Sequence, residues 1–97
     1  VPIQINYPNI LIYVMETDLP FSQNGDVRTF SKHVDPDELK WHRDDEDRVI
    51  IPVNDNDWMF QRDNSLPEPM DKEIRIAQGE WHRVIKGSTD LTVRIIK

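Results

Sequence analysis

The chain predicts an all-β domain, a sandwich or small barrel of about eight short strands, and three observations predict it. The apolar runs are short and rich in Ile, Val, Tyr, Phe and Trp, side chains that suit a pleated, half-buried surface. Turn residues separate them: Asn24-Gly25, Asp55-Asn56, Gln78-Gly79 and Gly87-Ser88. No stretch carries helical periodicity beyond a turn. A length of 97 residues allows one domain over residues 1–97 and one thin core.

An extended N-terminal arm (1–9), marked by Pro2 and Pro8, leads into the apolar run from Ile10 to Met15. Asn24-Gly25 tolerates positive φ and predicts a tight turn, so Val27 to Phe30 reads as the returning strand. Asp35-Pro36-Asp37-Glu38 reads as a turn, or one helical turn at most. Strands are then expected over 39–43, 48–53 and 58–62, followed by a loop over 63–69. Segments 73–77, 81–86 and 91–96 complete the set.

Composition bounds the partners. Eighteen acidic against 12 basic residues give a net charge of −6. That disfavours nucleic acid and anionic membrane, both of which attract cationic surfaces. Without cysteine there is neither disulfide nor thiolate, and any metal must be held by His, Asp, Glu or water. No apolar stretch approaches a transmembrane length, and the simplest expectation is a cytoplasmic protein.

One tripeptide occurs twice, as Trp41-His42-Arg43 and Trp81-His82-Arg83. Side chains alternate along a strand, so each Trp faces away from the His that follows it, and the histidines can converge if both point inward. Strand parity then leaves Trp41 and Trp81 outside, needing cover from the N-terminal arm or a second subunit. A homodimer is the expected state.

Ile76-Ala77-Gln78-Gly79-Glu80-Trp81-His82 resembles the second motif of the cupin superfamily, a strand ending in Pro-x-Gly-x-x-His. Gly79 and His82 match, while Ala77 replaces the proline. The first cupin motif, His-x-His followed by Glu, aligns with Lys40–Arg48 in two ways. Either Lys40 replaces the first histidine and Glu46 matches the glutamate, or His42 is the first histidine and Asp44 replaces the second. The resemblance covers roughly residues 38–97 and implies a small jelly-roll barrel, closed around a divalent metal. It makes His42 and His82 ligands, with Glu46 or Asp44 as the carboxylate. Two imidazoles and a carboxylate suit Fe, Mn, Zn or Ni. His42-Arg43-Asp44 with His82 is also similar to the facial triad of the 2-oxoglutarate oxygenases, in which Arg94 would stand where the cosubstrate carboxylate is held.

Gln61, Arg48 and Trp58 are the candidates to contact a small polar or anionic ligand. Each has a plainer role open to it: strand-edge amide for Gln61, salt-bridge partner for Arg48, core for Trp58. Asp44–Asp47 can equally be a solvated hairpin. The expectation is a cupin-like protein with a polar pocket around two histidines, acting as a metal-assisted isomerase, lyase or oxygenase. The alternative is a metal-free binding or assembly module.

Overall fold

A computed structural model describes residues 19–97. The expected arm and the run from Ile10 to Met15 lie outside the described residues. Within them the chain forms eight strands and one 3-10 turn. The strands are β1 (Ser22–Asn24), β2 (Val27–Phe30), β3 (Arg48–Pro52), β4 (Met59–Arg62), β5 (Glu68–Pro69), β6 (Ile74–Ile76), β7 (His82–Ile85) and β8 (Leu91–Ile96). They pair antiparallel in two sheets, of order β1-β2-β8-β3-β6 and β5-β4-β7. No strand ladder joins the sheets among the described residues, so the expected closed barrel is an open two-sheet sandwich there. No described helix is long and apolar enough to cross a membrane.

Alternation builds the core. Along β8, Leu91, Val93 and Ile95 are buried while Arg94 is exposed. Ile74 and Ile76 on β6 do the same from the sheet's edge. The smaller sheet contributes Phe60 together with Trp58, each 1% exposed, and the two sheets meet where Phe30 lies 5.6 Å from the Trp58 ring. Trp58 therefore fills the core instead of lining a ligand site. Its indole N–H donates to the Thr89 carbonyl, which removes the one polar cost of burying it.

Local chemistry explains several boundaries. The β1–β2 hairpin turns on Gly25-Asp26, one residue later than Asn24-Gly25, because the first central position takes φ 62° and only glycine enters it freely. Asp35 caps the 3-10 turn Pro36–Glu38 by accepting from the Asp37 N–H at 2.9 Å. The strand expected over 39–43 does not form. β2 and β3 both belong to the larger sheet, and the chain between them crosses to the smaller sheet and back. It touches β7 at a single bridge, His42 opposite His82. The loop expected over 63–69 instead holds the short edge strand β5, where Pro69 is tolerated because the edge requires no donor.

Candidate metal centre

Two turns bring the histidines together. Ahead of β7, Gly79 adopts φ 78° and the Glu80 N–H bonds the Ala77 carbonyl at 3.1 Å. This tight turn requires the glycine of the motif. On the crossing segment, His42 exchanges both backbone bonds with His82, at 3.0 and 2.9 Å, and the Gly79 N–H donates to the Asp44 carbonyl at 2.8 Å. The two Trp-His-Arg tripeptides thus lie antiparallel about His42–His82.

Outside, the guanidinium carbon of Arg83 sits 4.9 Å from the Trp41 ring centroid, and that of Arg43 sits 5.0 Å from Trp81. The repeat covers its own indoles in part, each tripeptide's Arg lying over the other's Trp. Inside, the imidazole centroids are 4.3 Å apart and edge-on.

Each imidazole is oriented in the same way. His42 Nδ1 lies 2.9 Å from the Lys40 carbonyl, and His82 Nδ1 lies 2.8 Å from the Glu80 carbonyl. A carbonyl only accepts, so each Nδ1 carries the proton, which leaves Nε2 as the atom free to bind a metal. His82 Nε2 lies 3.5 Å from Asp44 Oδ2. Ligand atoms of His42, Asp44 and His82 lie within 4.8 Å of one another, so this group can hold a metal ion. Bonds of ~2.0–2.1 Å place ligand atoms about 3–3.4 Å apart around one cation, so small side-chain rotations would close the set. Burial pushes the His82 pKa below the usual imidazole value, and the charge of His42 adds to this. The Glu80 carbonyl and the carboxylates of Asp44 and Glu80 oppose the shift.

Of the other residues singled out from the sequence, Arg48 is present at the site. It points into the sandwich from β3, with Nη1 3.5 Å from Asp44 Oδ1. Glu46 does not join the cluster: it is exposed and pairs with Lys97 at 3.5 Å. The turn explains the choice: Asp44 sits two residues after His42 on the crossing segment, whereas Glu46, of the same parity, lies beyond it on the solvated bend. Lys40 directs its ammonium to the Asp37 carbonyl, away from the histidines. Gln61 lies on the outer face of β4, accepting from Arg83 and donating to the Ser65 carbonyl. Arg94 also faces outward, paired with Asp26 at 2.9 Å.

Arg28 is a residue the sequence reading passed over. It shares the inner face of β2 with Phe30, and its pKa is drawn down to about 10 by burial and then by the charge of Arg48, while Asp44 raises it. The signal was available, because an arginine two residues before a core phenylalanine on a strand must share its side. Two open recesses lie away from the imidazoles. One, of about 740 Å³, runs from Pro52 to Asn56 with Met70 and Asp71. The other, of about 460 Å³, lies beside Arg28.

Fold and site together define a small antiparallel β-sandwich with a His-Asp-His candidate metal centre between its sheets. No protein-family model and no curated protein matches the chain. Among solved structures, that of protein NMB1881 from Neisseria meningitidis is similar over 94% of each chain, at 13% identity and a TM-score of 0.47.

Proposed function

We propose that the protein is a cupin-like binding domain that takes a divalent metal on His42 Nε2, His82 Nε2 and Asp44. It would use that metal on a small polar or anionic ligand. The observation that carries this reading is the matched anchoring of the two rings beside Asp44: each Nδ1 is spent on the carbonyl two residues back, and ligand atoms of His42, Asp44 and His82 lie within 4.8 Å of one another. Such backbone anchoring is the usual second partner of a metal-bound imidazole. Asp44 supports it too, since its carboxylate is only 11% exposed and its guanidinium partner, Arg48, stands off at 3.5 Å. A largely buried carboxylate held this loosely gains from a cation.

Two imidazoles and a carboxylate leave positions open, and suit Fe, Mn, Zn or Ni. When bound, such an ion polarises a coordinated oxygen group or lowers the pKa of a water, the chemistry of metal-assisted isomerases, lyases and oxygenases. The chain's own contribution is to hold His42, Asp44 and His82 with ligand atoms within 4.8 Å of one another. It also keeps the His82 side dry, where the Phe60 ring stacks 5.6 Å away.

A second reading is a metal-free binding or assembly module, favoured by Arg48, which already places a positive charge against Asp44. Metal analysis after anaerobic loading with Mn, Fe, Ni and Zn in turn separates the two. One equivalent in the native protein, lost in His82→Ala, supports the metal centre. An equivalent retained by the variant sinks the assignment, and a native protein that takes up none supports the module.

A further inference from the structure

The carboxylate of the candidate metal centre already faces a cation of its own chain. Asp44 Oδ2 lies 3.5 Å from His82 Nε2, while its Oδ1 lies 3.5 Å from Arg48 Nη1. The oxygen atoms a metal would need are thus divided between an imidazole and a guanidinium. The Arg48 and Asp44 side chains are 16% and 11% exposed, so water and salt screen the pair little.

The fold holds both partners where they are. Asp44 is fixed through its backbone, whose carbonyl accepts from the Gly79 N–H at 2.8 Å. Arg48 opens β3 and is set in register opposite Ile76 of β6. Its Nε is buried without a hydrogen-bond partner, and Asp44 is its one ion-pair partner among the described residues. The guanidinium has no second acceptor there to turn to, so it stays beside Asp44 when a metal approaches.

We infer, resting on the metal centre proposed above, that Arg48 is a built-in rival to the metal: it weakens the hold of Asp44 on any dication and biases the centre toward nitrogen-seeking ions. Asp44 and Arg48 together carry no net charge. An incoming dication therefore meets two neutral imidazoles, a carboxylate whose charge is already matched, and a like charge a few Å off. Ions differ in how much that matters. Mn prefers oxygen ligands and depends on the carboxylate, whereas Zn and Ni are well served by imidazole nitrogen. Arg48 thus sets both the affinity and the selectivity of the centre.

The test uses the full chain, with Zn and Mn titrated separately against a fluorescent chelator at about pH 7.5, where imidazole is neutral. Arg48→Met and Arg48→Gln both remove the charge. Each is expected to tighten Mn binding about tenfold or more, and Zn binding by a smaller factor. Tightening is the sign that a merely structural role would not give, since a disturbed site loses metal. Arg48→Lys, which keeps the charge, is expected to bind both ions as the native chain does. Arg94→Met removes the same charge from the outer face, where Arg94 pairs with Asp26, and is expected to change neither affinity. The amide spectrum of each variant verifies its fold. Mn binding that stays the same or weakens in both neutral variants overturns the role of Arg48 and leaves the metal centre standing. Equal tightening from Arg94→Met overturns it too, and equal gains for Zn and Mn overturn the selectivity. Uptake by the neutral variants alone supports the rivalry in its extreme form. A chain that takes up neither ion, native or variant, removes the metal centre and the role of Arg48 together.

Discussion

Removing Trp41 and Arg83 singly and together tests the register on which the site depends. If His42 opposes His82, then Trp41 must lie across from Arg83, and the observed separation from guanidinium carbon to ring centroid is 4.9 Å. At that distance over a half-exposed indole, a cation–π contact is worth about 0.5–1 kcal/mol. Arg83→Ala also loses the 2.9 Å bond to Gln61, and Trp41→Ala loses apolar burial, so neither single variant isolates the contact. The double-mutant cycle does, because those losses cancel. Urea unfolding followed by far-UV circular dichroism avoids the altered tryptophan signal. The expected coupling is about 0.5–1 kcal/mol for Trp41 with Arg83. For Trp41 with Arg94, which lies on the outer face of the other sheet, additivity to within about 0.5 kcal/mol is expected. Equal coupling in both cycles, or none in either, would refute the register and with it the shared inner side of the two imidazoles.

Three other outcomes are expected. A divalent metal at about 100 times its dissociation constant should stabilise the fold by roughly 2.7 kcal/mol. That raises the melting temperature by about 10–20 °C for a domain of this size, and EDTA or Asp44→Asn should abolish the shift. The His82 pKa is lowered by folding, so its stabilising contribution is full above the usual imidazole value of about 6.5 and is lost as pH falls through the folded value. Urea midpoints of EDTA-treated protein should therefore fall with pH in that window, and His82→Gln should flatten the slope. Gly87→Ala should destabilise by about 1–3 kcal/mol in the same assay, because a Cβ there would stand 2.8 Å from the Asp57 backbone carbon and from Trp58 Cδ1.

Parity made much of this protein legible. The alternation that buries Leu91, Val93 and Ile95 can be read directly from the residues, as can the inward return of β2 to Phe30. His42, Asp44 and His82 were also visible, because an i, i+2 relation and a repeated tripeptide both survive without a structure. What failed was continuity. Leu39–Arg43 has strand composition, yet only His42 pairs, since the segment spans the gap between sheets and spends its ends on crossing. Composition cannot reveal that, because it depends on which sheet receives the next strand. Glu68-Pro69 failed for the opposite reason: a proline that argues for a loop is acceptable on an edge that needs no donor. For Gln61 the sequence leaves a pocket contact and a strand-edge amide both open, and Phe60 beside it, which claims the inner side of β4, decides for the amide.

The crossing segment between β2 and β3 gives the candidate site a second consequence, one of local unfolding. Residues 31–47 belong to no strand, yet they carry His42, Asp44 and the buried Leu39. They are tied to the rest of the chain by the paired bonds at His42, the Gly79 bond to Asp44, the Gln78 N–H on Asp47 at 2.8 Å, Lys86 Nζ on the Val34 carbonyl at 2.9 Å and the Lys32 N–H on Asp90 at 2.7 Å. With a single bridge in place of a strand ladder, this stretch is the natural unit to detach while both sheets stay intact. Two of the three candidate metal ligands ride on it, and the third stays behind on β7. A ligand gripping all three would act as a clasp, and its binding energy would appear as slower amide exchange across residues 39–47.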